Sequence, residues 1–195
     1  MEKTLEGTSR MTGRAVSNGF WKGLGWGFLG GLAGTLVMDL VLMGTLLALK
    51  QPAVLCFSIV GDTVSSFLAV LGVQVAGGVP TGVVTHYVVG PLFGILFGTA
   101  VMRLPVLRDG SLKKAMLAAF VYVEILSQPI LATTPILLKM KAPETLLWFG
   151  GSFIMHLILS IVLSLIVGGW ASARNLSDPK NGPIIPERRI PWNTT

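Results

Sequence analysis

Five side chains that can carry or pass on a proton fall inside long apolar stretches of this 195-residue chain: Asp39, Asp62, His86, Glu124 and His156. Each would cost about 2.5–3.5 kcal/mol at the centre of a helix if it faced lipid. They are therefore expected to face one another or a wet cavity. Helical rise gives a crude depth for four of them. At about 1.5 Å per residue, Asp39 lies roughly 15 Å and His86 roughly 8–9 Å from the outer ends of their helices, with Glu124 at about 21 Å and His156 at about 18 Å. These depths pair Asp39 with His86 and Glu124 with His156. Gln128 follows Glu124 by one turn and belongs with the second pair. A carboxyl beside an imidazole in mid-membrane can exchange protons near neutral pH, which makes Glu124 the strongest functional residue of the set. Asp62 sits in Gly61-Asp62-Thr63, a sequence suited more to a turn or a helix cap than to a ligand.

The stretches that must position these groups carry small residues at every fourth place. Gly23, Gly27, Gly31 and Thr35 lead to Asp39; Gly82 and His86 lead to Gly90, Gly94 and Gly98; Ser152, His156, Ser160, Ser164 and Gly168 form a third series. Residues four apart share one face of an α-helix. Small-residue faces let helix backbones approach in lipid, where the hydrophobic effect does not drive association. Helix 1 is thus expected to pack on helix 3 and to bring Asp39 to His86. Pro129 and Pro135 leave backbone carbonyls one turn earlier without donors, so the outer half of the fourth stretch should be polar on one side.

Composition agrees with a membrane bundle. Charged residues make up 12% of the chain and hydrophobic ones 52%, whereas a soluble domain carries about 25% charged residues. Spans are expected at about 21–49, 81–102, 115–138 and 145–170, within a bundle covering 21–172. A segment at 53–72, broken at Gly61-Asp62-Thr63, is expected to enter from the outer side and return. Basic residues arbitrate, since inward-facing loops collect them. With four spans, twelve of the fifteen Lys and Arg lie on the inner side and Lys50, Lys139 and Lys141 on the outer. Five spans divide them nine to six and remain the alternative. The four-span arrangement places residues 1–20 and an extended tail at 173–195 in the cytoplasm, with the bundle in the cell (inner) membrane. The net charge of +6 is accounted for by these loops and ends, so nucleic acid is not an expected partner. The lone Cys56 permits no intramolecular disulfide.

The expected fold class is therefore an all-α membrane protein, a four-helix transmembrane bundle with a re-entrant segment between its first two spans. Two short motifs resemble those of a known group. Gly-Thr-Leu-Val-Met at 34–38 is followed by Thr-His-Tyr-Val-Val-Gly-Pro-Leu-Phe-Gly at 85–94. Over about residues 25–100 the chain resembles uncharacterised small prokaryotic multi-pass membrane proteins. Their first helix carries Ala/Gly-Thr-x-x-Met and their third His-x-x-x-Gly-x-x-Phe-Gly. The resemblance implies an inner-membrane protein, carries over no catalytic role, and singles out His86.

Three functions stay open at this point. An accessory or oligomeric subunit, with the bilayer and other membrane subunits or a second copy as partners, stands first, because four tightly packed spans enclose little volume. A small ion-, proton- or solute-transporting bundle would use the intramembrane Glu, His and Asp. A metal-binding membrane enzyme is third. Two imidazoles and three carboxylates would suit a transition metal, but their spacing matches no local metal motif, and no nucleophile has an adjacent base. No cofactor is named. The eight methionines have no clustered spacing and read as packing residues.

Overall fold

The computed structural model describes residues 3–104, 107 and 111–176, with the backbone alone described for 3–19 and 171–176. Among these residues the chain is helical: α1 (Lys3–Ala48), α2 (Leu55–Val70), α3 (Gly78–Arg103), α4 (Leu112–Leu137) and α5 (Ala142–Leu176). Four segments are long and apolar enough to cross a membrane: Phe20–Ala48, Gly78–Arg103, Leu112–Leu137 and Ala142–Trp170. The protein is an all-α, multi-pass membrane protein built on a four-helix bundle. At 16 residues α2 is short of a span. Four crossings bring the base ends of α1 and α5 to one face, where Trp26 stacks on Trp170 at 6.3 Å between ring centroids.

Helix boundaries differ from expectation mainly at the ends of the chain. α1 begins at Lys3 and α5 continues to Leu176, so both spans extend as helix beyond the apolar stretch. The remainder of the expected tail, 177–195, and most of the turn at 105–110 lie outside the described residues. Ser111 occupies the N-cap position of α4, but its side chain makes no capping hydrogen bond.

At the base of the bundle, meaning the end holding Phe20, Arg103 and Trp170, backbone packs on backbone. A Cβ added at Gly27 would collide with the carbonyl of Gly94, one at Gly31 with that of Gly90, and one at Gly98 with that of Gly23. The α1 and α3 stripes therefore meet as the spacing requires. Gly82 departs from the pattern: a Cβ there would strike the carbonyl of Phe57, so this glycine serves α2 instead of α1. A second pair on α1, Gly30 and Gly34, admits Leu163 and Leu159 of α5. On the other side of α5, Ser164 is fully buried and donates to the carbonyls of Ser160 at 2.6 Å and Ala115 of α4 at 3.3 Å. Phe97, Val101, Ala119, Leu163 and Val167 close the core between these seams.

The break expected at Gly61-Asp62-Thr63 does not occur, and α2 runs through it without interruption. Each residue of the triplet has a packing role. Gly61 lets α2 lie against the backbone of Gly78 and Gly82. Thr63 returns its hydroxyl to the Ile59 carbonyl at 2.8 Å and meets Thr134 of α4 at 3.2 Å. Asp62 accepts the Gly78 N–H at 2.7 Å, so one of the donors left over at the start of α3 is satisfied by a side chain of α2. Gly78 has φ +77°, a left-handed conformation that suits glycine.

The loop end, holding residues 49–54, 71–77 and 138–141, stops two spans in the same way. Gln51 N–H bonds to Leu46 O at 2.8 Å and Lys50 N–H to Leu47 O at 3.0 Å. Met140 N–H bonds to Pro135 O at 3.0 Å and Lys139 N–H to Ile136 O at 3.4 Å. Both are Schellman closures, with Lys50 and Lys139 in the left-handed position where glycine is usual.

Candidate functional site

Above the glycine seams the helices separate around a cavity of about 1280 Å³. Its floor is set by Thr35, Met38 and Leu159, and it extends to Leu49, Gln51 and Glu144 at the loop end. This exceeds the roughly 300–1,000 Å³ of an ordinary ligand pocket. The walls are mostly aliphatic and include Met38, Met140, Met155, Phe93 and Trp148. Two imidazoles, His86 of α3 and His156 of α5, line the same space.

Each imidazole is backed by a carboxylate. His86 Nδ1 lies 2.9 Å from Asp39 Oδ1. Asp39 is 2% exposed, and its Oδ2 has no hydrogen-bond partner. The α1–α3 seam explains the placement. Asp39 follows Thr35 by one turn, and Thr35 is itself seated where Gly90 lacks a Cβ. Thr35 keeps its own hydroxyl satisfied by donating to the Gly31 carbonyl at 2.9 Å. Phe57 of α2 meets the His86 ring edge-on at 5.1 Å between centroids, and Cys56 and Tyr87 lie within electrostatic reach of Asp39.

The second pair has more support. His156 Nδ1 lies 3.1 Å from Glu124 Oε1 and 3.2 Å from Ser127 Oγ. Ser127 donates its own proton to the Glu124 carbonyl at 3.1 Å, so its oxygen is free to accept from the imidazole. Gln128 donates to Glu124 Oε2 at 3.1 Å. Ser160, the next residue of the α5 series, donates to the His156 carbonyl at 2.7 Å. Both pairings expected from depth are present. In each, the carboxylate faces Nδ1, so a neutral imidazole that donates from Nδ1 leaves Nε2 as an acceptor. Neither Nε2 has a protein hydrogen bond among the described residues.

Asp62 belongs to a different place. It sits at the α2–α3 contact, where Ser58 donates to its Oδ2 at 3.3 Å and Gly78 N–H to its Oδ1. Among the described residues no three His, Cys, Asp or Glu side chains gather as ligands for one metal. Each pair offers one imidazole and one carboxylate.

Several cavity residues escape a reading of the sequence. Ser127 was accessible to it, since three residues from Glu124 is one helical face. Cys56 and Phe57 reach the site through the tertiary fold of α2 alone. Three of the methionines read as packing line the cavity. Trp148 donates its indole N–H to Leu131 O at 3.1 Å, the carbonyl that Pro135, four residues on, cannot serve. Comparison with protein-family models, with curated proteins and with solved structures finds no match to this chain.

Proposed function

We infer that this protein binds a small lipid-soluble solute within the membrane and exchanges protons at its two imidazole–carboxylate pairs, as a carrier or gated binding bundle. The observation that carries the reading is that both histidines open onto one cavity. The accessory-subunit reading expects four tightly packed spans with little space between them; the half-open cavity of about 1280 Å³ supports solute binding instead. Twelve of the fifteen basic residues lie before or at the start of the first span, around the turn that joins α3 to α4, or after the last span in sequence, so the bundle sits in the cell membrane with the base toward the cytoplasm and the cavity toward the outer side. For the enzyme reading, the hydroxyl beside the second pair, Ser127, already gives its proton to the Glu124 carbonyl and not to the imidazole.

Cys56 is the single cysteine of the chain and lines the cavity, so it reports on access. A membrane-permeant maleimide should alkylate it in native membranes and in mild detergent alike. Alkylation only after extraction would mean that another subunit fills or covers the cavity, and the accessory role would replace this one. Failure in both settings, at Cys56 and at an introduced cavity cysteine alike, would mean that no open cavity exists. Thr45→Cys in a Cys56→Ser background repeats the test at a second wall position, independent of the native thiol's own reactivity.

A further inference from the structure

We propose that the cavity takes a lipophilic organic cation, admitted in exchange for a proton held on the imidazole–carboxylate pairs. The proposal rests on the solute-binding reading above and names the class of solute. Charge is the first argument. Three carboxylates stand in or directly behind the walls: Asp39 and Glu124 behind their imidazoles, and Glu144 at the rim. Among the described residues no lysine or arginine lines the space, and Lys50, Lys139 and Lys141 flank it only at the loop end. At the depth of the imidazoles an anion would meet carboxylates with no fixed positive charge to offset them. A neutral apolar molecule would leave both pairs unused.

The pairs supply the exchange. A protonated pair, imidazolium beside carboxylate, has no net charge and suits an apolar cavity. Loss of one proton to bulk water leaves neutral imidazole beside carboxylate, with a net charge of −1. A monovalent cation entering the cavity restores neutrality, so one positive charge replaces another and no covalent bond changes. The cost of holding an uncompensated charge at this depth makes the two events alternatives. Asp39 carries the clearest sign of such a site, because one of its oxygens is buried without a partner. The groups that face the pairs from neighbouring helices are Cys56 of α2 and Tyr87 of α3 at Asp39, and His86 at His156.

The remaining walls match the other half of such a ligand. Phe93 and Trp148 bring aromatic rings to the walls, the side chains that attract cations. Met38, Met140 and Met155 are unbranched and polarizable, and adapt to aromatic groups of differing shape.

The test compares two ions of nearly the same size and shape but opposite charge, tetraphenylphosphonium and tetraphenylborate, on the unmodified protein in mild detergent. Tetraphenylphosphonium should slow alkylation of Cys56, and its binding should release protons into a weakly buffered solution. Its apparent affinity should rise by about tenfold per pH unit while one proton is displaced. Tetraphenylborate should give no protection. Glu124→Gln and Asp39→Asn should each weaken cation binding and its pH dependence, since an amide carries no negative charge for an imidazolium or a bound cation to balance. Equal protection by both ions, or protection that ignores pH, would overturn the cation exchange. Reactive Cys56 that neither ion protects would also overturn it while leaving the cavity itself standing. Failure of maleimide at both Cys56 and Thr45→Cys would instead defeat the solute-binding reading beneath it.

Discussion

The two halves of this bundle use the same helices for opposite ends. At the base, α1 meets α3 through Gly23, Gly27 and Gly31 and meets α5 through Gly30 and Gly34, and at Gly27 and Gly31 the α3 backbone stands where a methyl group would go. Toward the loop end, Gly44 of α1 and Gly150 and Gly151 of α5 have no neighbour within reach of an added Cβ. Those stretches stand apart around the cavity. Glycine in a membrane helix therefore has no single meaning. Its effect depends on whether another backbone lies against it. Here the tight half acts as a clamp that lets the loose half hold polar groups around open space.

The largest effect should come from forcing the clamp. Gly94→Leu places a side chain where the Gly27 carbonyl and Gly31 backbone lie. It should cost about 1–3 kcal/mol or more, the range for overpacking a dense core. Gly44→Leu, on the same seam helix but in the open half, should stay within about 0.5 kcal/mol of the parent. Thermal melting in detergent measures both, and equal losses would erase the distinction between the halves.

The two pairs sharpen the comparison next. Asp39 is 2% exposed at the top of the seam, while the Glu124 side chain is 18% exposed and shares His156 with Ser127. Asp39→Ala leaves His86 with no replacement acceptor for its Nδ1–H and should cost about 1–3 kcal/mol. Glu124→Ala should cost less, because Ser127 still accepts from His156. The reverse order in the same melting assay would place the more rigid pair in the open half.

The smallest effect lies at the rim. Trp148→Phe keeps the ring but removes the donor to Leu131 O, and should cost about 0.5–1.5 kcal/mol. Combined with Pro135→Ala, which restores a backbone donor to that carbonyl, the loss from Trp148→Phe should shrink. An unchanged loss in the double variant would show that the indole is held by packing alone.

Much of this was legible because helical periodicity is a strong constraint. The four-residue interval located the α1–α3 seam and, with the cost of charge in lipid, paired Asp39 with His86 and Glu124 with His156. What stayed hidden depended on whole-chain geometry. Gly30 and Gly34 are also four apart, but nothing local says that one glycine helix will clamp two neighbours at once. Gly61-Asp62-Thr63 reads as a break because those residue types favour turns. The tertiary fold instead uses the glycine for close approach and the aspartate to cap another helix. The cavity was the largest omission. A void is defined by where five elements fail to meet, and no pattern within one of them records it.

The dependence of α2 on α3 also bears on how the chain is made. The groups that accept α2, the Gly78–Gly82 backbone and His86, all follow it in sequence. During synthesis α2 emerges while the helix that shelters it is still unmade. It is too short to settle across the bilayer alone, and Asp62 has no amide to receive until residue 78 has emerged. The segment must therefore wait at the membrane surface or in the insertion machinery and enter together with α3, as a hairpin. A chain halted with residue 70 clear of the ribosome and residue 78 still inside it should leave 55–70 open to protease or aqueous thiol reagents, and one halted with residue 103 clear should not.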